Sequence, residues 1–199
     1  MTVTAGDPTV LTVPRRSFVL VAGIPGAGKS SMLASRPIAA PGAVVLDSDP
    51  VRDWLRARLP AGTPYRCYRG LVHLWHRAHV VLAVLGALGP VVVHMPATAV
   101  FTRVALVALA MFACRRRYLV WVHAEPEEAR RGQFGRGRVL HGASFARHAR
   151  RGAAFVARLR EGYRPPGWHR VTVLDRRQAR HGLVLDTGAG PAPATPGRG

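Results

Sequence analysis

Short apolar runs alternate with amphipathic stretches along most of the chain. The runs have the nearly continuous apolar character of strands buried on both faces of a sheet. They are Phe18–Ala22, Ala43–Leu46, Val91–His94, Leu119–Val122 and Val171–Leu174. Helical stretches are predicted at Ser30–Ser35, Val51–Leu59, Leu71–Leu88, Ala99–Ala113, Pro126–Gln133 and Ser144–Arg160. Strands that alternate with helices favour right-handed crossovers, so the pattern predicts an α/β fold with a five-stranded parallel sheet and helices on both faces.

The pattern predicts one domain with unstructured ends. Residues 1–16 are expected to be a flexible N-terminus, residues 17–186 the domain, and the Pro- and Gly-rich residues 187–199 a disordered tail. The longest apolar run, Val80–Val93, has 14 residues, and a membrane-spanning helix needs about 20. No secretory signal is visible at the N-terminus. No membrane partner is therefore expected.

The chain is strongly basic, with 29 Lys and Arg against 10 Asp and Glu and a formal charge of +19. Such a charge favours acidic partners, including nucleotides and nucleic acid. Biased composition explains the charge equally well, because Lys29 is the only lysine. Cys67 and Cys114 have neither metal-ligand nor redox spacing, which is typical of a reducing cytoplasm.

The first strand is followed by a phosphate-binding motif, Gly23-Ile-Pro-Gly-Ala-Gly-Lys29-Ser30. Its backbone N–H groups and the next helix N-terminus would surround the β-phosphate of ATP. Lys29 would bridge the β- and γ-phosphates, and the Ser30 hydroxyl would bind Mg²⁺. The predicted nucleotide-binding residues here are Gly23, Pro25, Gly26, Ala27, Gly28, Lys29, Ser30 and Ser31.

The second strand is followed by two acids and an arginine, Asp47, Asp49 and Arg52. Ligands of parallel sheets bind at the carboxyl ends of the strands. One interpretation makes Asp49 an N-cap with Pro50 at the first helical position. The other makes Asp49 the acceptor of a substrate hydroxyl proton, with Arg52 holding the substrate. Asp47 is a candidate to lie near Mg²⁺ through water.

These motifs, together with the basic segment Arg130–Arg138, resemble the P-loop kinases of the polynucleotide-kinase and zeta-toxin group, with an AAA-type ATP-binding domain. The resemblance implies a three-layer P-loop kinase-like fold with ATP and Mg²⁺ as cofactors. It also implies a lid at about residues 130–142. In that group the second acid is the general base and the following arginine binds the acceptor, which places these roles on Asp49 and Arg52.

The third strand departs from that group, in which an Asp usually ends this strand. Here the residue is His94, so no Walker B carboxylate is visible at this position. His94 is a candidate to hydrogen-bond a phosphate or an acceptor, and a packed histidine explains it equally well. Thr98 and Arg103 open the next helix and are candidates to reach an acceptor, although capping or solvated positions are more typical of both.

Several other basic segments have functional and structural interpretations. Glycines between Arg130, Arg136 and Arg138 favour a mobile lid over ATP, with Arg136 catalytic and the other two binding the nucleotide. An exposed basic loop is the alternative. Arg115–Arg117 is expected to be a solvated turn, and His73, His76 and His79 surface or packed histidines. The arginines of Ser144–Arg160 would form a basic face able to follow nucleic acid.

The sequence therefore predicts a kinase that transfers the γ-phosphate of ATP to a hydroxyl of a small molecule or of a nucleic-acid end. An alternative is an ATP-binding or ATPase module with a regulatory or partner-binding role. The missing strand-end acid favours that alternative. The acceptor carries no motif.

Overall fold

The computed structural model describes residues 7–36, 38, 40–134 and 142–188. The strands in these ranges are β1 (Thr9–Thr12), β2 (Ser17–Ala22), β3 (Val44–Leu46), β4 (Val91–His94), β5 (Arg116–Val122), β6 (Arg170–Leu174) and β7 (Leu183–Asp186). The helices are α1 (Lys29–Ser35), α2 (Ser48–Arg58), α3 (Tyr65–Gly86), α4 (Val100–Phe112), α5 (Pro126–Phe134), α6 (Gly142–Arg160) and α7 (Arg176–Arg180).

The central sheet has five parallel strands in the order β3-β4-β2-β5-β6. The five predicted strands and the α/β fold class are confirmed. In the middle of the sheet, Leu20 of β2 stands opposite Val93 of β4 and Leu119 of β5. Because parallel strands need crossover helices, both faces of such a sheet become covered. Because β3, β4 and β2 are parallel neighbours, their carboxyl ends meet at one edge of the sheet.

Successive side chains of β2 supply two separate cores. Val19 and Val21 pack on one face with Met32 of α1, whereas Leu20 packs on the other face with Val80 of α3. All four side chains of the sequence Val19–Ala22 are fully buried. The continuous apolar run thus reflects burial on both faces, and it fixes the position of the loop that follows Ala22.

A second, two-stranded sheet was not predicted. β1 pairs in parallel with β7, with Leu11 opposite Leu185. Leu11 and Val13 are buried. The prediction of a flexible segment over residues 1–16 is therefore wrong for Thr9–Thr12, because their partner lies at the other end of the chain. Residues 1–6, most of the predicted tail at 187–199, and residues 135–141 of the predicted lid lie outside the described ranges.

Arg115 corrects the prediction of a solvated turn at 115–117. Its side chain is 1% exposed. Its Nε donates to the Val84 carbonyl at 2.6 Å, and Nη1 donates to the Gly89 carbonyl at 2.9 Å. Nη2 donates to the Ala87 carbonyl. The last carbonyls of a helix lack intrahelical partners, so Arg115 caps α3 and fixes its connection to β4.

None of the helices in the described ranges is both long and apolar enough to cross a membrane.

Candidate nucleotide and acceptor site

The predicted phosphate-binding loop lies between β2 and α1. Its backbone needs glycine at two positions for steric reasons. A Cβ on Gly26, whose φ is +87°, would lie 2.0 Å from the Ala129 carbonyl oxygen. A Cβ on Gly23 would lie 2.2 Å from the Val122 carbonyl oxygen. The loop therefore packs closely against β5 and α5, and only residues without a side chain allow that approach.

Lys29, the first residue of α1, is buried, with 4% of its surface exposed. Its Nζ donates hydrogen bonds to the carbonyl oxygens of Gly23 and Ile24, each at 2.9 Å. The ammonium group thus lies across the loop. A buried ammonium needs hydrogen-bond acceptors, and the loop carbonyls supply them. The side chain is already placed where phosphate oxygens would enter.

Helix α5 braces the loop through a residue that sequence reasoning missed. The side chain of Gln133 is 5% exposed, and its Nε2 donates to the Pro25 carbonyl at 3.1 Å. Arg176 of α7 donates to the carbonyl of Glu128 in α5 at 2.5 Å. Contacts across such sequence distances leave no local pattern.

Asp47 is the N-cap of α2, and the prediction that Asp49 is the cap is wrong. The Oδ1 of Asp47 accepts the backbone N–H of Asp49 at 3.2 Å. The helix begins at Ser48, which places Pro50 at its third position. A proline is tolerated there because N–H groups of the first turn have no intrahelical partner. Asp49 lies in the first turn, so capping does not explain its presence.

The other carboxylate oxygen of Asp47 contacts His94 at the end of β4. The Oδ2 of Asp47 lies 2.7 Å from the Nδ1 of His94. Burial raises the pKa of Asp47, but the contact with His94, the charge of His94 and the backbone N–H groups of Asp49 and Ser48 together outweigh burial, and this pKa is lowered overall. His94 therefore binds the neighbouring strand's acid at the position where the related kinases carry an acid of their own.

Asp49 and Arg52 both line a cleft of about 1960 Å³ that includes the phosphate-binding loop. The guanidinium carbon of Arg52 lies 5.8 Å from the centre of the Tyr65 ring, and its Nη2 lies 3.4 Å from Oδ1 of Asp53. Asp47 lines the same cleft. The structure thus brings the loop and the predicted D-x-D-x-x-R residues into one continuous space.

The other predicted nucleotide-binding residues fall into three groups. Pro25, Gly26, Gly28, Lys29 and Ser30 line the cleft. Gly23 and Ala27 are buried, Ser31 is exposed, and none of these three lines the cleft. Arg130 lies outside the cleft lining, with its guanidinium carbon 5.2 Å from the Phe145 ring centre. Arg136 and Arg138 lie outside the described residues.

Besides His94, three histidines line the cleft, and the sequence analysis had marked two of them only as surface or packed residues. His73 and His76 come from α3 and His148 from α6. His76 is 4% exposed, and burial lowers its pKa. The pKa of His148 is lowered by burial first and then by Arg151 and Lys29, among other cations. The Oγ1 of Thr98 lies 2.7 Å from Nδ1 of His148.

Arg103 of α4 binds the loop that follows β4. This side chain is 7% exposed, and its Nη1 donates to the carbonyls of Ala97 and Thr98 at 2.8 and 3.0 Å. Its guanidinium carbon lies 4.1 Å from the Phe155 ring centre. Arg103 thus binds carbonyls of the preceding loop rather than capping a helix or facing solvent, and Thr98 is buried and lies against His148 rather than in solvent.

Comparisons with known proteins agree with this fold. A family model described as an AAA domain matches residues 18–162. A structure from the PezAT chromosomal toxin-antitoxin system of Streptococcus pneumoniae has a TM-score of 0.59 and 16% identity, over 87% of this chain and 71% of that one. A chain of the Pnkp1/Rnl/Hen1 RNA repair complex has a TM-score of 0.55 and 12% identity, over 76% and 47%. No curated protein matches the sequence.

Proposed function

This chain belongs to the AAA domain family and has a P-loop kinase-like fold, and from that premise we propose that it transfers the γ-phosphate of ATP to a hydroxyl group. The acceptor is a small molecule or a nucleic-acid end. The observation that carries the proposal is the shared cleft, in which Lys29 of the loop and Asp49 and Arg52 of α2 all take part. Transfer requires both the donor and the acceptor to enter one such space.

The loop would hold the nucleotide through its backbone and the start of α1. N–H groups at a helix N-terminus favour anions. Lys29 lies over the loop carbonyls and would exchange them for β- and γ-phosphate oxygens. The point charge of an ammonium suits a crowded phosphate site better than a planar guanidinium.

The residues present suit Mg²⁺, which prefers oxygen ligands and several waters. Ser30 lines the cleft directly after Lys29, so its hydroxyl would bind the ion. Asp47 uses one oxygen on His94 and one on the backbone of α2, which suits it to contact through water rather than direct ligation. The ion would offset phosphate charge in the transition state.

Asp49 would take the proton of the acceptor hydroxyl, and Arg52 would position the acceptor. Asp47 is less suited to be the base. His94 and the helix cap occupy its oxygens, and its lowered pKa makes it a weaker proton acceptor. A base must reach the proton it removes, and Asp49 faces the cleft one turn before Arg52. Arg130, Arg136 and Arg138 would supply the lid cations.

A second candidate function is an ATP-binding or ATPase module without a kinase product. His94 at the end of β4 favours it, since an imidazole cannot replace a carboxylate beside Mg²⁺. We place the protein in the cytoplasm under either function, because its two free cysteines are exposed and would oxidise elsewhere.

The experiment that separates the two functions uses γ-labelled ATP with Mg²⁺ and a panel of hydroxyl compounds, including a 5′-hydroxyl oligonucleotide. Label appearing on one acceptor, at a rate that rises with acceptor concentration, supports the kinase. ADP release that no compound accelerates supports the ATPase module. Absence of nucleotide binding by calorimetry would contradict both.

A further inference from the structure

The cleft wall beyond Asp49 and Arg52 is rich in cations. Arg69 and Arg77 of α3 and Arg151 of α6 line this part of the cleft. The ion pairs among the described residues involve other side chains, so no described carboxylate forms an ion pair with these three arginines. All three are exposed, so water screens part of their mutual repulsion, and an anion bound among them would offset the rest.

Both helices that supply these arginines line the same cleft. The charge of Arg69 on α3 contributes to lowering the pKa of His148 on α6, after burial and the larger effects of Arg151, Lys29 and Arg147. The arginines of α3 and α6 therefore act on the same part of the cleft. This space adjoins the phosphate-binding loop, because Lys29 acts on His148 as well.

Neutral hydrogen-bonding groups complete the wall. The Nε of Arg69 donates to Nε2 of His73 at 3.3 Å, which orients the guanidinium. His76 is 4% exposed, lines the cleft, and its Nε2 has no hydrogen-bond partner among the described residues. Burial lowers the pKa values of His73 and His76, so both rings are neutral at neutral pH. A buried polar nitrogen without a protein partner indicates a missing ligand or water.

From this arrangement we infer that Arg69, Arg151 and His76 form an anion-binding subsite for the acceptor, which carries a phosphate, sulfate or carboxylate beside the hydroxyl that is phosphorylated. The inference rests on the proposed function, because only a kinase has an acceptor substrate. Guanidinium groups bind such oxyanions through paired hydrogen bonds. Asp49, Arg52 and the loop residue Lys29 line the same cleft as this subsite, so an acceptor anchored here would share that space with ATP.

The first test measures anion binding without catalysis. The full-length protein is saturated with Mg²⁺ and a non-hydrolysable ATP analogue, so that the loop is filled, and inorganic sulfate is titrated by calorimetry. We expect one saturable site that is weakened at least tenfold in Arg69→Gln and in Arg151→Gln. Each variant loses charge-assisted hydrogen bonds to the anion. His76→Phe, which removes the unpartnered nitrogen, should weaken the site as well.

Matched controls are available on the same helices. Arg66 lies one turn before Arg69 on α3, and Arg150 precedes Arg151 on α6; both are exposed and outside the cleft lining. Arg66→Gln and Arg150→Gln should leave sulfate binding unchanged. Equal weakening in these controls, no saturable sulfate site, or a loss of nucleotide affinity in Arg69→Gln and Arg151→Gln would overturn the subsite.

The second test identifies the source of the anion. Acceptors are compared in pairs that differ by one phosphate, namely glycerol with glycerol 3-phosphate and ribose with ribose 5-phosphate, beside a 5′-hydroxyl oligonucleotide. Label on the small phosphate esters assigns the anion to a metabolite, and label on the oligonucleotide alone assigns it to a nucleic-acid backbone. Preference for the neutral members overturns the inference. Arginine-dependent sulfate binding with no labelled acceptor would contradict the kinase and leave the anion site standing.

Discussion

The two halves of the cleft are built in different ways. The nucleotide half is one short segment, from Gly23 to Ser30, held by Gln133 and by close backbone contacts. The acceptor half is assembled from α2, α3, the loop after β4, and α6. A contiguous segment keeps its geometry through local chemistry, whereas the assembled half depends on how helices pack. Under the proposed function the first half would serve a constant ligand, and the second would be free to vary with the acceptor.

The largest expected effect would separate the two halves. Asp49→Asn removes the proposed base but preserves the size of the side chain, so turnover should fall by about 10²–10⁴. Affinity for Mg²⁺ and ATP should stay within about twofold, since the loop is unchanged. Single-turnover kinetics with labelled ATP, together with calorimetry, measure the two quantities.

The matched control for Asp49→Asn is Glu161→Gln, an exposed acid at the end of α6 outside the cleft lining. It should leave turnover unchanged. Full turnover in Asp49→Asn would refute the assignment of the base.

The reciprocal change acts on the nucleotide half. Lys29→Ala should weaken binding of Mg²⁺ and ATP by roughly 100-fold, because about 3 kcal/mol of charge-assisted hydrogen bonding is lost. Sulfate binding at the acceptor wall should persist. Calorimetry with each ligand measures both effects. Unaltered ATP affinity would show that the loop does not bind phosphate in the proposed way.

The contrast between the halves also explains what could be predicted from the sequence. The five parallel strands follow from apolar runs and right-handed crossovers, and the loop follows from a motif that local chemistry dictates. Arg115, His148 and β1 could not be found in this way, because their partners lie at distant positions in the chain. The cap was misassigned between Asp47 and Asp49 because both precede the helix and either carboxylate suits an N-cap.

A smaller effect tests the assembled half by itself. Thr98→Val removes the hydroxyl that lies 2.7 Å from Nδ1 of His148. One buried hydrogen bond is worth about 1 kcal/mol, and urea unfolding measures this loss. Nucleotide affinity should not change. Thr102→Val serves as the control, since Thr102 lines the same cleft and should lose little stability; an equal loss in both variants would assign the effect to the methyl substitution rather than to His148.

The smallest effect concerns the junction of the halves, where Asp47 joins α2 to His94. Burial raises the pKa of Asp47, but the contact with His94, its charge and the backbone N–H groups of Asp49 and Ser48 together outweigh burial, and the folded-state pKa lies below the ordinary value of 3.8. As pH falls, the unfolded chain therefore takes up this proton first. The stabilisation by the ionised Asp47 is fully present above the unfolded pKa and is lost as pH falls through the lowered, folded pKa.

Asp47→Asn tests this dependence because asparagine also caps helices well, so mainly the interaction with His94 is removed. The free energy of unfolding should drop by about 1 kcal/mol or less at pH 6, and the difference from the wild type should shrink as pH falls below the ordinary pKa of 3.8. Urea unfolding from pH 6 to pH 2 measures it. In a His94→Gln background the same substitution should cost less at pH 6. A cost that stays undiminished there would mean that groups other than His94 lower the pKa of Asp47.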